Sequence, residues 1–290
     1  MTSKKKTYAQ IGVFLLITFG IMMTFGWKGI SGNELEGTIT PFEYLCYYLA
    51  TFSPAIGCIA ARYVFHEGFR DDILFPKFTG HFKGYLLSVL LPVAFGLLNC
   101  VIITIVLGAG FTIKAENGLL EVIAAISVKS VEFYIAAFIL IGEELGWRAF
   151  LYDKLEKLFG LHGSIIIGGI IWGLWHIPPL ITIGLNFGKD APAFPITNIA
   201  LMCVLCIFLG AIMQLLRKMT DSVIAPIIAH AVIDTVCNVL FSIFLSGELV
   251  EGKNFIIGCC MLVPALLIGT VCWIYMKKMC QNEPVQLTHF

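Results

Sequence analysis

Charged residues are scarce in this chain. Asp, Glu, Lys and Arg make up 13% of its 290 residues, against about a quarter in soluble domains. Hydrophobic residues reach 58% and the mean hydropathy is +0.89, whereas soluble domains are only about 45–50% apolar. The composition therefore excludes an ordinary soluble domain and indicates a polytopic membrane protein in contact with the lipid bilayer.

Net charge is also absent, because 19 basic residues balance 19 acidic ones. Without a basic excess there is no electrostatic footprint for nucleic acid, and we expect no such partner. A cysteine framework is missing as well. Cys203 and Cys206 have C-x-x-C spacing but lie inside an apolar run without a second cysteine pair or a nearby histidine. They are better explained as small apolar side chains than as a zinc or redox site.

The chain has no polar linker, low-complexity tract or internal repeat, so residues 1–290 are expected to form a single integral-membrane domain. A stretch of about 20 apolar residues suffices to cross a bilayer as a helix. The sequence therefore predicts an all-α bundle of about eight transmembrane helices. The first follows Lys4-Lys5-Lys6, is too long for a signal peptide and has no small-residue cleavage site, so we expect it to be uncleaved. The eight runs cover residues 8–27, 42–65, 84–108, 119–159, 163–183, 196–216, 223–245 and 255–276.

The distribution of Lys and Arg predicts the orientation of these helices. With eight spans and the N-terminus inside, 14 of the basic residues fall on the inner side and only five on the outer side. Cytoplasmic loops carry the excess of positive residues. We therefore expect a multi-pass cell-membrane protein with both termini in the cytoplasm.

Three charged residues, Glu143, Glu144 and Arg148, interrupt the fourth apolar run. A charge near mid-bilayer costs about 2.5–3.5 kcal/mol on insertion scales, so such residues are usually paired or functional. Glu144 and Arg148 are four residues apart and predict a structural ion pair on one helix face. Glu143 has no basic residue at helical spacing and is a candidate for chemistry. The alternative is that these charges extend from a helix end toward water.

Only two histidines lie within predicted spans, His176 and His230, and Asp234 follows His230 by one helical turn. At 1.5 Å per residue, Glu143 and His176 lie about 20 Å from the predicted cytoplasmic helix ends, and His230 about 12 Å. The sequence thus predicts one cavity that contains a carboxylate and two imidazoles, nearer the cytoplasm. Either histidine alone could instead be a hydrogen-bonded core residue.

A carboxylate and an imidazole that share a water can act as a general base, and a second imidazole can donate to an oxyanion. This is hydrolytic machinery without an obvious Ser or Cys nucleophile. The same Glu-His-His set could also bind Zn²⁺. However, the H-E-x-x-H spacing is absent, so we expect no metal and no cofactor and keep a zinc-dependent protease as an alternative.

Three motifs in order, Glu143-Glu144-x-x-x-Arg148, Trp172-x-x-x-His176 and His230-x-x-x-Asp234, resemble the CPBP family of intramembrane glutamic proteases. That family comprises type II CAAX prenyl endopeptidases and bacteriocin-processing or immunity proteins. The resemblance covers the catalytic core at residues 131–245, and residues 53–57 also resemble the family's second helix. It implies that Glu143 and His176 activate water and that His230 and Asp234 form the oxyanion site.

Two residues depart from the family pattern. Ala149 stands where the family often has Gly, and Asp234 stands where the prenyl endopeptidases have Asn. An ionised Asp234 would repel an oxyanion, so it must either be protonated or serve to orient His230.

The expected function is an endopeptidase that cleaves a peptide or protein at the cytoplasmic side of the membrane. A bacteriocin precursor or another membrane-anchored peptide fits a bacterial setting better than a prenylated protein does. One alternative is a non-catalytic bacteriocin immunity or binding protein that keeps the same fold. A transporter has little support, because neither a repeat nor paired broken helices are visible.

Overall fold

The protein is described here by a computed structural model, which covers residues 3–35, 40–68, 75–108, 119–244 and 252–282. Within these ranges it contains helices, turns and irregular segments but no strand, so the predicted all-α class is confirmed. A short π-helical segment, Trp147–Leu151, lies between a helix that ends at Gly146 and one that begins at Tyr152. The helices are α1 Ser3–Leu35, α2 Pro41–Thr51, α3 Ser53–Val64, α4 Phe82–Leu107, α5 Leu119–Gly146, α6 Tyr152–Trp175, α7 Ile177–Thr182, α8 Ile196–Thr220, α9 Ile224–Phe244 and α10 Asn254–Asn282.

The second predicted span is bent. α2 begins with a capping box between Thr40 and Glu43 and has Pro41 in its first turn, which satisfies the free N–H groups of that turn. α2 and α3 meet at Phe52 with a bend of 55°. Pro54 lies in the first turn of α3, where its missing N–H costs nothing. The bend directs Ser53 into the bundle, where its hydroxyl accepts a hydrogen bond of 3.0 Å from the indole N–H of Trp175.

Close helix packing in the centre depends on glycine. A Cβ atom at Gly169 or Gly173 of α6 would collide with the backbone of α8 at Ile207 or Cys203, and one at Gly146 would collide with Pro54. Membrane helices pack mainly through such close contacts, because lipid supplies no hydrophobic drive for their association. The glycines therefore allow α6 to lie directly on α8 and the end of α5 to lie against α3.

Length and composition identify five described helical segments that could cross a membrane, and six if the bent pair α2–α3 counts as one span. One of the five, Phe133–Trp175, is 43 residues long, about 64 Å if fully helical, and a bilayer core is about 30 Å thick. Its chain leaves the helical conformation at Gly160, where φ is 70° and ψ is 179°. The apolar helix at Ile224–Thr235 falls below the length limit. The polytopic architecture is confirmed, and the number eight stays a prediction.

One end of the bundle, which we call the basic end, holds a group of ion pairs. Lys154 lies 2.5 Å and Arg62 3.3 Å from Glu67. Burial acts to raise the pKa of Glu67, but the hydrogen bond and charge of Lys154 and then the charge of Arg62 outweigh it and lower the pKa from its ordinary value. Further pairs at this end are Lys77–Asp221, Arg217–Asp221 and Lys218–Glu156. The opposite end is formed by the α7–α8 connection and the start of α10.

Candidate active site

Glu143 lies on α5 with 7% of its surface exposed. The indole N–H of Trp172, on α6, donates a hydrogen bond of 3.1 Å to its Oε2. No cation forms an ion pair with Glu143 in the described part of the chain. Trp172 therefore fixes the direction of the carboxylate and leaves its other oxygen for a further ligand.

Glu144, the next residue, faces a different environment. Arg148 Nη1 donates to its Oε1 at 3.0 Å, and both side chains are completely buried. The guanidinium group of Arg148 also lies 4.2 Å above the ring of Trp172, a cation–π arrangement that is favourable in a desolvated site. The two adjacent glutamates thus have different roles in the structure, since Glu144 is fixed by a cation and Glu143 only by an indole.

The π-helical segment Trp147–Leu151 follows directly. Such segments occur as single turns within α-helices and are frequent at functional sites. Arg62 of α3 donates a hydrogen bond of 3.0 Å from Nη2 to the carbonyl oxygen of Ala149. It thereby binds a carbonyl of this irregular turn and ties α3 to the chain just beyond the two glutamates.

His176 occupies the C-cap of α6. Its Nδ1 lies 2.8 Å from the carbonyl oxygen of Trp172. A carbonyl can only accept a hydrogen bond, so Nδ1 carries the proton, and Nε2 of the neutral imidazole is left as an acceptor. The same turn of α6 therefore orients both the indole that holds Glu143 and an imidazole with a free lone pair.

His230 of α9 is 8% exposed, and its Nδ1 lies 2.8 Å from Glu144 Oε1. An ionised carboxylate can only accept, so Nδ1 of His230 also carries a proton. Asp234 lies one turn further along α9 with its side chain accessible from the bundle interior. The ring of His230 packs edge-on against Trp172 with centroids 5.4 Å apart.

All four residues that the sequence predicts as catalytic, Glu143, His176, His230 and Asp234, line one cavity of about 540 Å³. The rest of its wall is mostly apolar and comes from α4, α6, α8, α9, α10 and the α7–α8 connection. Glu144 and Arg148 are not part of the lining. A second cavity of about 320 Å³ between α2, α5 and α9 shares Glu143 and Asp234 with the first.

The sequence does not identify one further polar residue of this cavity. Asn99 of α4 lies in its wall, and its Oδ1 is buried without a hydrogen-bond partner among the described residues. Buried polar atoms are almost always hydrogen-bonded, so an exception next to a candidate site is notable. The signal for it is present in the sequence, because Asn99 is a lone amide inside the third apolar run.

The described residues contain no group of three or more His, Cys, Asp and Glu side chains placed to hold a metal ion. Cys203 and Cys206 are both free thiols, and Cys206 lines the cavity. The zinc-dependent alternative therefore has no ligand set in these parts of the chain, and the expectation that the site works without metal stays a prediction.

Comparison with known proteins gives two matches. Residues 126–236 match the family model described as type II CAAX prenyl endopeptidase Rce1-like. The chain is also 33% identical over 98 residues to CAAX prenyl protease 2 of Methanococcus maripaludis, which is 32% of this chain and 34% of that protein. The chain thus spans about a third of the length of this curated relative. Both matches confirm the family resemblance that the three motifs predict.

Proposed function

We propose, given that residues 126–236 match the family model of Rce1-like type II CAAX prenyl endopeptidases, that the chain is an intramembrane endopeptidase that uses a glutamate-activated water. The observation that carries this proposal is the shared cavity of Glu143 and His176. Glu143 is held there by a neutral donor, and His176 offers a lone pair at Nε2. A carboxylate and an imidazole on one water form a general-base pair.

In the proposed reaction, water attacks the carbonyl carbon of a substrate peptide bond while its proton passes to Glu143. A tetrahedral intermediate forms with negative charge on the former carbonyl oxygen. The C–N bond then breaks, the proton moves from Glu143 to the departing amine, and the products are a carboxylic acid and an amine. Positioned donors toward the oxyanion commonly supply the largest single contribution to such catalysis.

His230 is our candidate for this donor. Its Nδ1–H is bound to Glu144, so Nε2 donates to the oxyanion only when the ring carries both protons. Glu144 accepts the Nδ1–H of this ring, and Asp234 lies one turn further along α9. Asp234 then serves to orient and stabilise the imidazolium rather than to contact the oxyanion itself. This role removes the conflict between an acidic side chain and a developing negative charge.

The proposed substrate is a peptide or a protein, with a bacteriocin precursor or another membrane-anchored peptide as the expected class. We expect the chain to reside in a bacterial cell membrane with both termini in the cytoplasm, because of the Lys and Arg distribution.

The test is a comparison of membrane and secreted peptides from cells that express the wild-type chain or Glu143→Gln. We expect a small set of precursors to accumulate uncleaved in Glu143→Gln. Glu43→Gln is the matched control, because Glu43 caps α2 on the surface, and it should leave the peptide profile unchanged. Identical profiles in wild type and Glu143→Gln, together with retained protection against a bacteriocin, would instead identify a non-catalytic binding protein.

A further inference from the structure

The large cavity lies toward one end of the helix bundle. Its lining includes Leu185 and Asn186 of the α7–α8 connection and Ile257, Gly258 and Met261 of the first turns of α10. Asn186 is exposed and Ile257 is half-buried. These residues belong to the end of the bundle opposite to the basic end.

The depth of the cavity follows from helix geometry. Met261 is seven residues from the start of α10, about 10 Å at 1.5 Å per residue, and Leu209 is 13 residues from the start of α8, about 20 Å. Both helices begin at the end opposite to the basic end. The cavity thus extends from that end over about 20 Å, which is about two thirds of a bilayer core of about 30 Å.

Toward the basic end the cavity is closed by packed side chains. The π-helical segment contributes Trp147, Arg148, Phe150 and Leu151, and α6 contributes Tyr152, each with 0% exposure. Among the described residues, no lysine or arginine lines the large cavity. These side chains form a packed layer between Glu143 and the ion pairs of the basic end. A peptide could not cross this layer unless the core unpacked.

The Lys and Arg distribution places the basic end in the cytoplasm. We propose that the large cavity opens to the exterior face of the membrane and that substrate reaches Glu143 from that side. The part of this proposal that concerns substrate rests on the proposed peptidase function. The sequence alone predicts cleavage at the cytoplasmic side, and the lining of the cavity is the observation that favours the other side. The fitting substrate is then a peptide segment already translocated across the membrane.

The test measures access to the cavity without requiring turnover. Leu205 lies in the cavity wall on α8, and a thiol is introduced there by Leu205→Cys. Met261→Cys is a second variant in case the first folds poorly. The probe is a small methanethiosulfonate with a fixed trimethylammonium charge, applied either to intact cells or to inverted membrane vesicles. Modification of the full chain is counted by mass, and the wild-type chain gives the background from native thiols such as Cys206.

We expect Leu205→Cys to be modified at least about tenfold faster in intact cells than in inverted vesicles, since a fixed charge crosses the hydrocarbon core very slowly. Lys157→Cys is the control for orientation, because Lys157 is exposed at the basic end, and it should react only in inverted vesicles.

Faster modification of Leu205→Cys and Met261→Cys in inverted vesicles would overturn the proposal, and so would a lack of modification in both preparations. Reaction of Lys157→Cys in intact cells would show an inverted bundle and also overturn it. The labelling result does not depend on cleavage, so a failure of the peptidase proposal in the peptide comparison is seen separately.

Discussion

His230 and Arg148 bind the same oxygen atom. Nδ1 of His230 lies 2.8 Å and Nη1 of Arg148 lies 3.0 Å from Oε1 of the fully buried Glu144. A single acceptor therefore joins α5 to α9 and fixes the plane of the His230 ring, so that its Nε2 is directed away from the pair. The pair that the sequence indicates as structural thus also positions a residue of the cavity.

Removal of Arg148 should destabilise the fold. Arg148→Ala leaves Glu144 buried with only His230 as a partner, and breaking a buried ion pair typically costs about 3–5 kcal/mol. We expect a lower folded yield and a lower melting temperature in detergent. Lys218→Ala is the control, since its pair with Glu156 is partly exposed and such pairs contribute about 0–1 kcal/mol. Normal folding of Arg148→Ala with complete loss of cleavage would point to substrate binding by Arg148.

Glu143→Gln and His176→Ala should each lower kcat by several orders of magnitude. Both residues are assigned to the attacking water, and neither change leaves a buried charge unpaired, so folding should be kept. The measurement is cleavage of the precursor that accumulates in Glu143→Gln, with melting temperature recorded for each variant. Glu43→Gln should retain wild-type kcat. Near-normal turnover by His176→Ala would remove His176 from the mechanism.

His230→Ala should be less severe than Glu143→Gln. Loss of one oxyanion donor costs about 10²–10³ in kcat, because the attack on the carbonyl can still proceed. KM should change little if His230 contacts only the oxyanion. A large rise in KM with unchanged kcat would assign His230 to substrate binding.

Cleavage should be insensitive to metal removal. We expect purified protein to keep its activity after prolonged treatment with a strong chelator, followed by metal-free buffer. Loss of activity that added Zn²⁺ restores would recast Glu143, His176 and His230 as metal ligands and support the zinc-dependent alternative.

The ion pairs of Glu67 should make stability depend on pH. The pKa of Glu67 is lowered in the folded protein, so its contribution is present above the unfolded pKa and is lost as the pH falls from 4.5 through the lowered value. Glu67→Gln should therefore melt at a lower temperature than wild type near neutral pH, and the difference should shrink in acid. A difference that stays constant with pH would mean that Glu67 acts through packing instead.

The sequence predicted much of this arrangement because its signals are local. Hydrophobic length predicts helices, and the spacing of Glu144 and Arg148 brings them together on any α-helix. The shared contact of His230 with Glu144 could not be predicted, since it joins residues that are 86 positions apart. Helical spacing suggests Asp234 as the neighbour of His230, whereas the Nδ1 contact of the structure comes from another helix.

Two other features depend on tertiary packing. The π-helical turn at Trp147–Leu151 has no sequence signature that separates it from an α-turn, and its Ala149 carbonyl is bound by Arg62 from a different helix. The direction in which the cavity opens follows from the α7–α8 connection and α10. These two elements line the same cavity as Glu143. That arrangement could not be deduced from the distance of each residue to the predicted end of its own helix.

The π-helical turn has a consequence for comparing this chain with its relatives. A π-turn closes its hydrogen bonds at i+5 instead of i+4, so it contains one residue more than the α-turn it replaces. Deletion of one residue from Trp147–Leu151 would restore a continuous α-helix, and the two flanking segments would keep nearly the same relative rotation, because the π-turn already accommodates the extra residue. A one-residue deletion in a regular α-turn between Glu143 and Trp172 would instead rotate one side by about 100° relative to the other. An alignment gap of one residue within Trp147–Leu151 is therefore compatible with a homologue whose glutamate still faces its histidine.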